Sequence, residues 1–134
     1  MPTAPLPWVP HVLVVDDSAD CADLLARKLE AWGFQPLVAY DGQAAVETAL
    51  TQAPDAVLMD IELAGLDGYE VARRLRRHPG MEKILLVALT ALVKALQDPR
   101  RARAAGFDHL LAKPIDLDEL RELLLSRLTP AGGS

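Results

Sequence analysis

Cysteine is almost absent from this sequence, which has one, Cys21, among 134 residues. An internal disulfide and a cysteine-rich zinc site are therefore excluded, and the reducing cytoplasm is the expected compartment. Basic residues are also in deficit, with 14 against 19 acidic ones and a formal net charge of −5. This balance disfavours nucleic acids and anionic membranes as partners, because like charges repel.

Long hydrophobic runs and low-complexity blocks are missing as well. Apolar runs such as residues 84–89 are far shorter than the roughly 20 residues that a membrane-spanning helix needs. The chain is instead 51% hydrophobic and 25% charged, which is typical of one globular domain. Residues 1–10 contain four prolines and no basic residue, so we expect an extended tail rather than an export signal. With residues 129–134 as a second tail, the expected folded unit is 11–128.

Five short apolar segments alternate with segments of helical periodicity. The predicted strands are residues 11–16, 35–40, 55–60, 84–90 and 107–112. The predicted N-caps of helices include Ser18, Asp41, Asp98 and Asp116, whereas the pattern leaves residues 91–97 undecided. Because continuous apolar strands joined by helices form a buried parallel sheet, we predict an α/β fold of the (βα)5 type, doubly wound around five parallel strands.

Polar residues collect where these strands end. They are Asp16 and Asp17 after strand 1, Asp60 on strand 3, Thr90 on strand 4 and Lys113 after strand 5. The carboxyl ends of parallel strands lie at one edge of the sheet, where ligands bind in such folds. Three carboxylates there would repel one another, so we predict that they bind Mg²⁺, which prefers oxygen ligands. An aspartate beside Mg²⁺, a lysine and a hydroxyl has the groups needed to attack a phosphoryl group.

Four segments together resemble a known family. They are VLVVDDS at 12–18, VLMDIELAGLDGYEVARRLR at 57–76, ALTA at 88–91 and GFDHLLAKP at 106–114. In this order, at the ends of alternating strands, they are similar to the response-regulator receiver domain of two-component signalling. The resemblance covers residues 11–128 and implies the chemotaxis-regulator-like fold, with the flavodoxin-like strand order 2-1-3-4-5. The last segment is also similar to receivers attached to hybrid sensor kinases.

The resemblance implies a phosphoryl-transfer role for the acidic residues. Asp60 would accept the phosphoryl group from a histidine kinase or a histidine phosphotransfer protein. Asp17 would bind Mg²⁺ directly and Asp16 through water, together with Asp60 and the backbone carbonyl of Glu62. The domain would catalyse its own phosphorylation and slow dephosphorylation, although it is primarily a signalling domain.

The resemblance also implies roles for Thr90, Lys113 and residue 110. Thr90 would bond to the phosphoryl group as the switch hydroxyl, and Lys113 would pair with a phosphoryl oxygen, with a cis bond to the following proline. Leu110 stands where the family has a switch aromatic, so the usual inward swing of that ring is unavailable. A second departure is Ala64, which replaces a usual proline beside Gly65 and Gly68, the glycines expected to shape this loop.

Two other functions remain open from the sequence. A pseudo-receiver would bind a partner without phosphorylation, and Leu110 favours it weakly. A phosphatase or haloacid-type hydrolase would need a DxD arrangement on strand 1, but Ser18 follows Asp17. The downstream target is undefined, and nothing in the sequence resembles a DNA-binding element. The chain is expected to be a monomer or a homodimer through helix 4, strand 5 and helix 5.

Two surface features complete the predictions. The arginine run at residues 73–77 and the one at 100–103 are each interpreted as a solvated helix face, the first favoured by the helix dipole. The apolar stretch 92–96 is either local packing or an interaction patch, and the sequence does not decide between them.

Overall fold

The chain folds into one parallel sheet with helices on both faces. The structure is a computed structural model that describes residues 9–63 and 67–128. Its strands are β1 His11–Val15, β2 Gln35–Ala39, β3 Ala56–Asp60, β4 Leu85–Thr90 and β5 His109–Ala112. All pairs are parallel and the order is β2-β1-β3-β4-β5, which confirms the predicted fold class and strand order. The predictions for Ala64, Gly65 and most of both tails lie outside the described residues.

Six helices connect these strands within the described ranges. They are α1 Ala19–Ala31, α2 Gly42–Gln52, α3 Gly68–Arg77, α4 Val93–Gln97, α5 Arg100–Ala105 and α6 Leu117–Leu128. The side chains of Ser18 and Asp41 accept bonds from the first turns of α1 and α2, as predicted. Asp116 does the same for α6, and Asp67 is a further cap that begins α3.

The undecided stretch 91–97 contains a helix, α4, and the short helix predicted after Asp98 and Pro99 is α5. The connection between β4 and β5 therefore holds two helices where the (βα)5 pattern predicts one. The break falls at Asp98 and Pro99. Proline lacks an N–H group and disfavours helical geometry in the preceding residue, and Asp98 has φ −135° and ψ 89°. Pro99 therefore occupies the N-cap position predicted for Asp98, whose side chain still accepts a bond of 3.2 Å from the Arg100 N–H. The predicted fifth helix corresponds to α6.

The sheet separates two apolar layers. Successive side chains of a strand point to opposite faces, so Leu13 and Val57 pack with α2, α3 and α5, whereas Val12 and Leu58 pack with α1 and α6. The side chains of β3 and β4 are buried along their whole length, as expected for central parallel strands. Burial of each large aliphatic side chain contributes roughly 1.5–3 kcal/mol, which holds the strand ends in fixed positions.

The arginine run on α3 is not one solvated face. Arg73 and Arg74 pair with Glu70 on the same helix, and Arg77 is exposed. The Arg76 side chain, in contrast, is only 19% exposed. The prediction of a solvated run is therefore wrong for Arg76.

Arg76 binds the amino ends of β4 and β5 to α3. Its guanidinium lies 3.0 Å from Asp108 Oδ2 and donates to four backbone carbonyls. These carbonyls belong to Met81, Glu82, Ile84 and Gly106. Gly106 has φ +111°, and a Cβ there would lie 2.6 Å from Arg76 Cγ, so only glycine fits beside the arginine. We call Arg76, Gly106 and Asp108 the Arg76 anchor.

Candidate functional site

The carboxyl edge of the sheet brings the predicted acidic residues together. Asp16 directly follows β1 and Asp60 ends β3, and these strands are neighbours in the sheet. Carboxylate oxygens of Asp16, Asp17 and Asp60 lie within 4.8 Å of one another. Asp16 and Asp60 are buried, whereas Asp17 is exposed, so the cluster opens to solvent on one side.

Lys113 supplies the positive charge that touches this cluster. Its Nζ lies 2.8 Å from Asp60 Oδ2 and 3.2 Å from Asp16 Oδ2. Burial by itself lowers the pKa of Lys113, but the hydrogen bonds and charges of Asp60 and Asp16 outweigh it and raise the pKa above its ordinary value of 10.5. The ammonium is therefore charged at neutral pH, and one cation faces three carboxylates. The Lys113–Pro114 peptide bond is cis, as the resemblance implies.

Backbone N–H groups hold the two buried carboxylates in place. The Ser18 N–H donates to Asp16 Oδ1 at 2.9 Å, and the Glu62 N–H donates to Asp60 Oδ1 at 2.8 Å. Each carboxylate thus has one oxygen on the backbone and the other on Lys113. A carboxylate oxygen has two lone pairs, so these bonds leave capacity for a further ligand. The predicted role of the Glu62 carbonyl stays a prediction, because the contact seen for Glu62 is that of its N–H.

Thr90 is fully buried at the end of β4 and links the site to α4. Its Oγ1 accepts a bond of 2.9 Å from the N–H of Leu92, the N-cap residue of α4. Its carbonyl accepts a bond of 2.8 Å from the Lys113 N–H. The sequence predicts Thr90 at the carboxyl edge of the sheet. It does not predict the bond to Leu92, which forms because only two residues separate the end of β4 from the start of α4.

Leu110 lies on β5, away from the acidic cluster. It is half-buried against the core layer that contains α2, α3 and α5. Together with Phe107 and Leu96 it lines a cavity of about 260 Å³ between β5 and the helices α4 and α5. The predicted switch role of Leu110 stays a prediction.

An apolar cleft beside the cluster was not predicted from the sequence. It measures about 310 Å³, with Asp16 and Lys113 on its polar side and Leu24, Ile115 and Leu117 among its apolar lining. Leu24 is 58% exposed, whereas Leu25 and Leu29 of the same helix are buried. The sequence does carry one signal for this cleft, since Leu24 and Leu25 are adjacent. Two consecutive residues of a helix do not face the same side, so one of the two leucines is expected to be exposed.

The family is shown by comparison with known proteins. Residues 12–125 match the response regulator receiver domain. This match covers most of the chain, and the chain belongs to that family.

Individual relatives come from two kinds of signalling protein. The DNA-binding dual master transcriptional regulator RpaA of Synechocystis is 34% identical over 112 residues, which are 84% of this chain and 46% of the relative. The virulence sensor protein BvgS of Bordetella pertussis is 37% identical over 119 residues, 85% of this chain and 10% of the relative. The chain thus spans about half the length of the regulator and a tenth of the sensor.

A solved receiver has the same fold and a metal in its cleft. The receiver domain of a sensor histidine kinase from Pseudomonas aeruginosa is 32% identical, with a TM-score of 0.81 over 92% of this chain and 100% of that one. That structure has a magnesium ion coordinated in its active-site cleft. In the part of the present chain that the structure describes, no helix is long and apolar enough to cross a membrane.

Proposed function

We propose that this receiver accepts a phosphoryl group on Asp60 from the phosphohistidine of a histidine kinase or a phosphotransfer protein, in a Mg²⁺-dependent reaction. The observation that carries the proposal is the charge imbalance at the sheet edge. Oxygens of two buried carboxylates and one exposed carboxylate lie within 4.8 Å of one another, and the Lys113 ammonium pairs with the two buried ones, Asp16 and Asp60. Such a cluster is costly unless a cation occupies it.

The donor groups fit magnesium. Hard oxygen ligands from one or two carboxylates, with the remaining positions taken by water and phosphate oxygens, are typical of Mg²⁺ sites in phosphoryl-transfer proteins. Asp16, Asp17, Asp60 and the Glu62 carbonyl would hold the ion. When bound, Mg²⁺ neutralises the carboxylates and withdraws charge from the phosphoryl oxygens. The magnesium in the related Pseudomonas receiver supports the same assignment.

The residues of the chain divide the reaction between them. An oxygen of Asp60 would bond to phosphorus while the bond between phosphorus and the donor imidazole nitrogen breaks, and that nitrogen leaves with the electron pair. The Lys113 ammonium, which donates a hydrogen bond to the Asp60 carboxylate, would donate a hydrogen bond to a phosphoryl oxygen instead. Thr90 would turn its hydroxyl toward the phosphoryl group. Both groups stabilise charge where it develops.

The phosphoryl donor would dock at the apolar cleft beside the site. Leu24 and Leu117 present exposed apolar surface there, and Asp16 and Lys113 form the inner wall. A partner helix bearing the phosphohistidine would bury this surface and bring its imidazole to Asp60. The position of the cleft favours a protein donor, because a small phosphodonor needs no apolar docking surface.

The second candidate function is phosphorylation-independent binding by a pseudo-receiver. It is favoured by Leu110, which cannot perform the ring movement of an aromatic switch residue. In this case Asp60 would not be modified, and the signal would depend on the helical surface alone.

Intact mass after incubation with acetyl phosphate distinguishes the two functions. We expect one phosphoryl adduct on the wild type in the presence of Mg²⁺, and none when Mg²⁺ is chelated. Asp60→Asn should lose the adduct, whereas the matched Asp118→Asn, on the exposed start of α6, should keep it. An unmodified wild type in the presence of Mg²⁺ would favour the pseudo-receiver.

A further inference from the structure

Charge is distributed unevenly along this acidic protein. Between residues 71 and 107 there are nine of the fourteen basic residues but only two of the nineteen acidic ones, Glu82 and Asp98. The basic residues are Arg73, Arg74, Arg76, Arg77, Lys83, Lys94, Arg100, Arg101 and Arg103. This stretch contains α3 from Val71 onward, β4, α4 and α5. Glu70, at the start of α3, pairs with Arg73 and Arg74, so the unpaired positive charge lies mainly on α4 and α5, within a chain of net charge −5. Such a separation creates a local field that attracts acidic partners.

A groove lies between the beginning of α3 and the helices α4 and α5. It measures about 750 Å³, and we call it the α3–α4 groove. Its lining residues are Tyr69, Leu92, Val93, Lys94, Ala95, Gln97, Asp98 and Arg101. Val93 is 63% exposed, and α4 contains no buried residue. Ala95 packs against the core, whereas Leu92, Val93 and Leu96 are exposed. The exposed residues of the stretch 92–96 thus indicate an interaction surface.

Two cations border this apolar surface. The Arg101 guanidinium lies 4.1 Å from the centre of the Tyr69 ring, and that ring packs edge-on against Phe107 at 6.4 Å. The stacked arrangement fixes the arginine at the groove. Lys94 and Arg101 form no ion pair with any residue in the described ranges, whereas Asp98 is paired with Arg100 at 2.8 Å. The groove thus combines an apolar floor with unpaired positive charge.

We propose that the α3–α4 groove binds an acidic segment of a partner protein. An apolar side chain of the segment would lie against Leu92 and Val93, and flanking carboxylates would pair with Lys94 and Arg101. Arginine and lysine favour this arrangement because carboxylates accept charge-assisted hydrogen bonds from both. The occupant is a polypeptide rather than a nucleic acid, because an apolar floor buries side chains but gains nothing from a phosphate backbone.

Fluorescence anisotropy with labelled peptides tests the groove on the full chain. The probe peptide has aspartates and glutamates around a central Leu-Trp pair. One control peptide replaces that pair with serines, and the other replaces the acidic residues with lysines. We expect only the probe to bind, with an affinity that falls as salt is raised. Arg101→Glu should weaken binding by about tenfold or more, which is typical of an interface hot spot.

Matched variants separate the groove from general charge effects. Arg27→Glu makes the same charge change on an exposed residue of α1, which packs on the opposite face of the sheet from α3 and α5. It should leave the affinity within about twofold, because salt screens charges that are far apart. Val93→Ala should weaken binding, whereas Leu50→Ala, an exposed apolar residue on α2, should not. Equal losses in Arg27→Glu and Arg101→Glu would overturn the proposal, as would equal binding of the serine-substituted peptide.

Other occupants give distinct results. Self-association of the wild type that Arg101→Glu abolishes would assign the groove to a second copy. A single-stranded oligonucleotide that displaces the probe would assign it to nucleic acid. Either result would overturn the proposal.

Discussion

The two ends of the sheet hold their charges in opposite balance. At the amino ends of β4 and β5, the Arg76 guanidinium has one carboxylate and four backbone carbonyls as partners. At the carboxyl ends, three carboxylates cluster together, and the Lys113 ammonium pairs with two of them, Asp16 and Asp60. The first arrangement is satisfied by the protein alone and stabilises the fold. The second is incomplete, and its imbalance indicates that a ligand contributes to the site.

Removing Arg76 should have the largest effect on stability. Arg76→Ala leaves several carbonyls without their arginine donor and removes the cation beside Asp108, which keeps its bond from the Leu86 N–H. We expect a loss of about 2–4 kcal/mol in the free energy of unfolding, at the lower side of buried ion-pair values because the Arg76 side chain is partly exposed. Arg77→Ala, its exposed neighbour, should change that free energy by less than about 0.5 kcal/mol. Urea denaturation of both variants measures the difference, and similar losses would show that Arg76 is not an anchor.

Gly106 tests the close contact within the Arg76 anchor. Gly106 and Gly33 both have positive φ, at +111° and +96°, but only Gly106 would place a Cβ against another side chain. Gly33→Ala should cost about 1–2 kcal/mol for the left-handed backbone alone. Gly106→Ala should cost roughly twice as much, and this excess should disappear in the Arg76→Ala background because the two residues are in contact. Additive losses in the double variant would contradict the contact.

Lys113 tests the charge balance at the other end through pH. Because its pKa is raised in the folded protein, its contribution to the free energy of unfolding is complete below the ordinary value of 10.5 and is lost as pH rises through the raised value. The difference in unfolding free energy between wild type and Lys113→Met should thus be constant from neutral pH to about 10 and shrink as pH rises above 10.5. The exposed Lys28 gives the control, since Lys28→Met removes one ammonium without touching the acidic cluster, and the Lys113→Met profile is compared with it. A difference that already declines near pH 8 would contradict a raised pKa.

The two ends also differ in how far the sequence predicts them. Asp60 and Thr90 are polar residues that end apolar strands, and a parallel sheet necessarily brings such positions to one edge. Arg76 bonds mainly to backbone carbonyls, and Gly106 lies thirty residues away from it. Carbonyls are the same in every residue, so the sequence carries no signal for these bonds, and the arginine resembles its solvated neighbours.

The division of the fourth helix shows a similar limit. Pro99 marked a helix start in the sequence, and the helical periodicity of α5 supported it. The apolar stretch before Pro99 forms the helix α4, which begins where the Leu92 N–H donates to Thr90 Oγ1 and which leaves Val93 exposed. Both are properties of the assembled chain.

Isothermal titration with Mg²⁺ tests the charge imbalance most directly. We expect the wild type to bind one ion at the carboxyl edge, and Asp17→Asn to lose most of this affinity, because Asp17 is the exposed carboxylate of the cluster. Asp118→Asn makes the same charge change on α6 and should bind Mg²⁺ as the wild type does. A wild type that binds no Mg²⁺, or an Asp17→Asn variant that binds it with unchanged affinity, would contradict the interpretation of the cluster as an incomplete cation site.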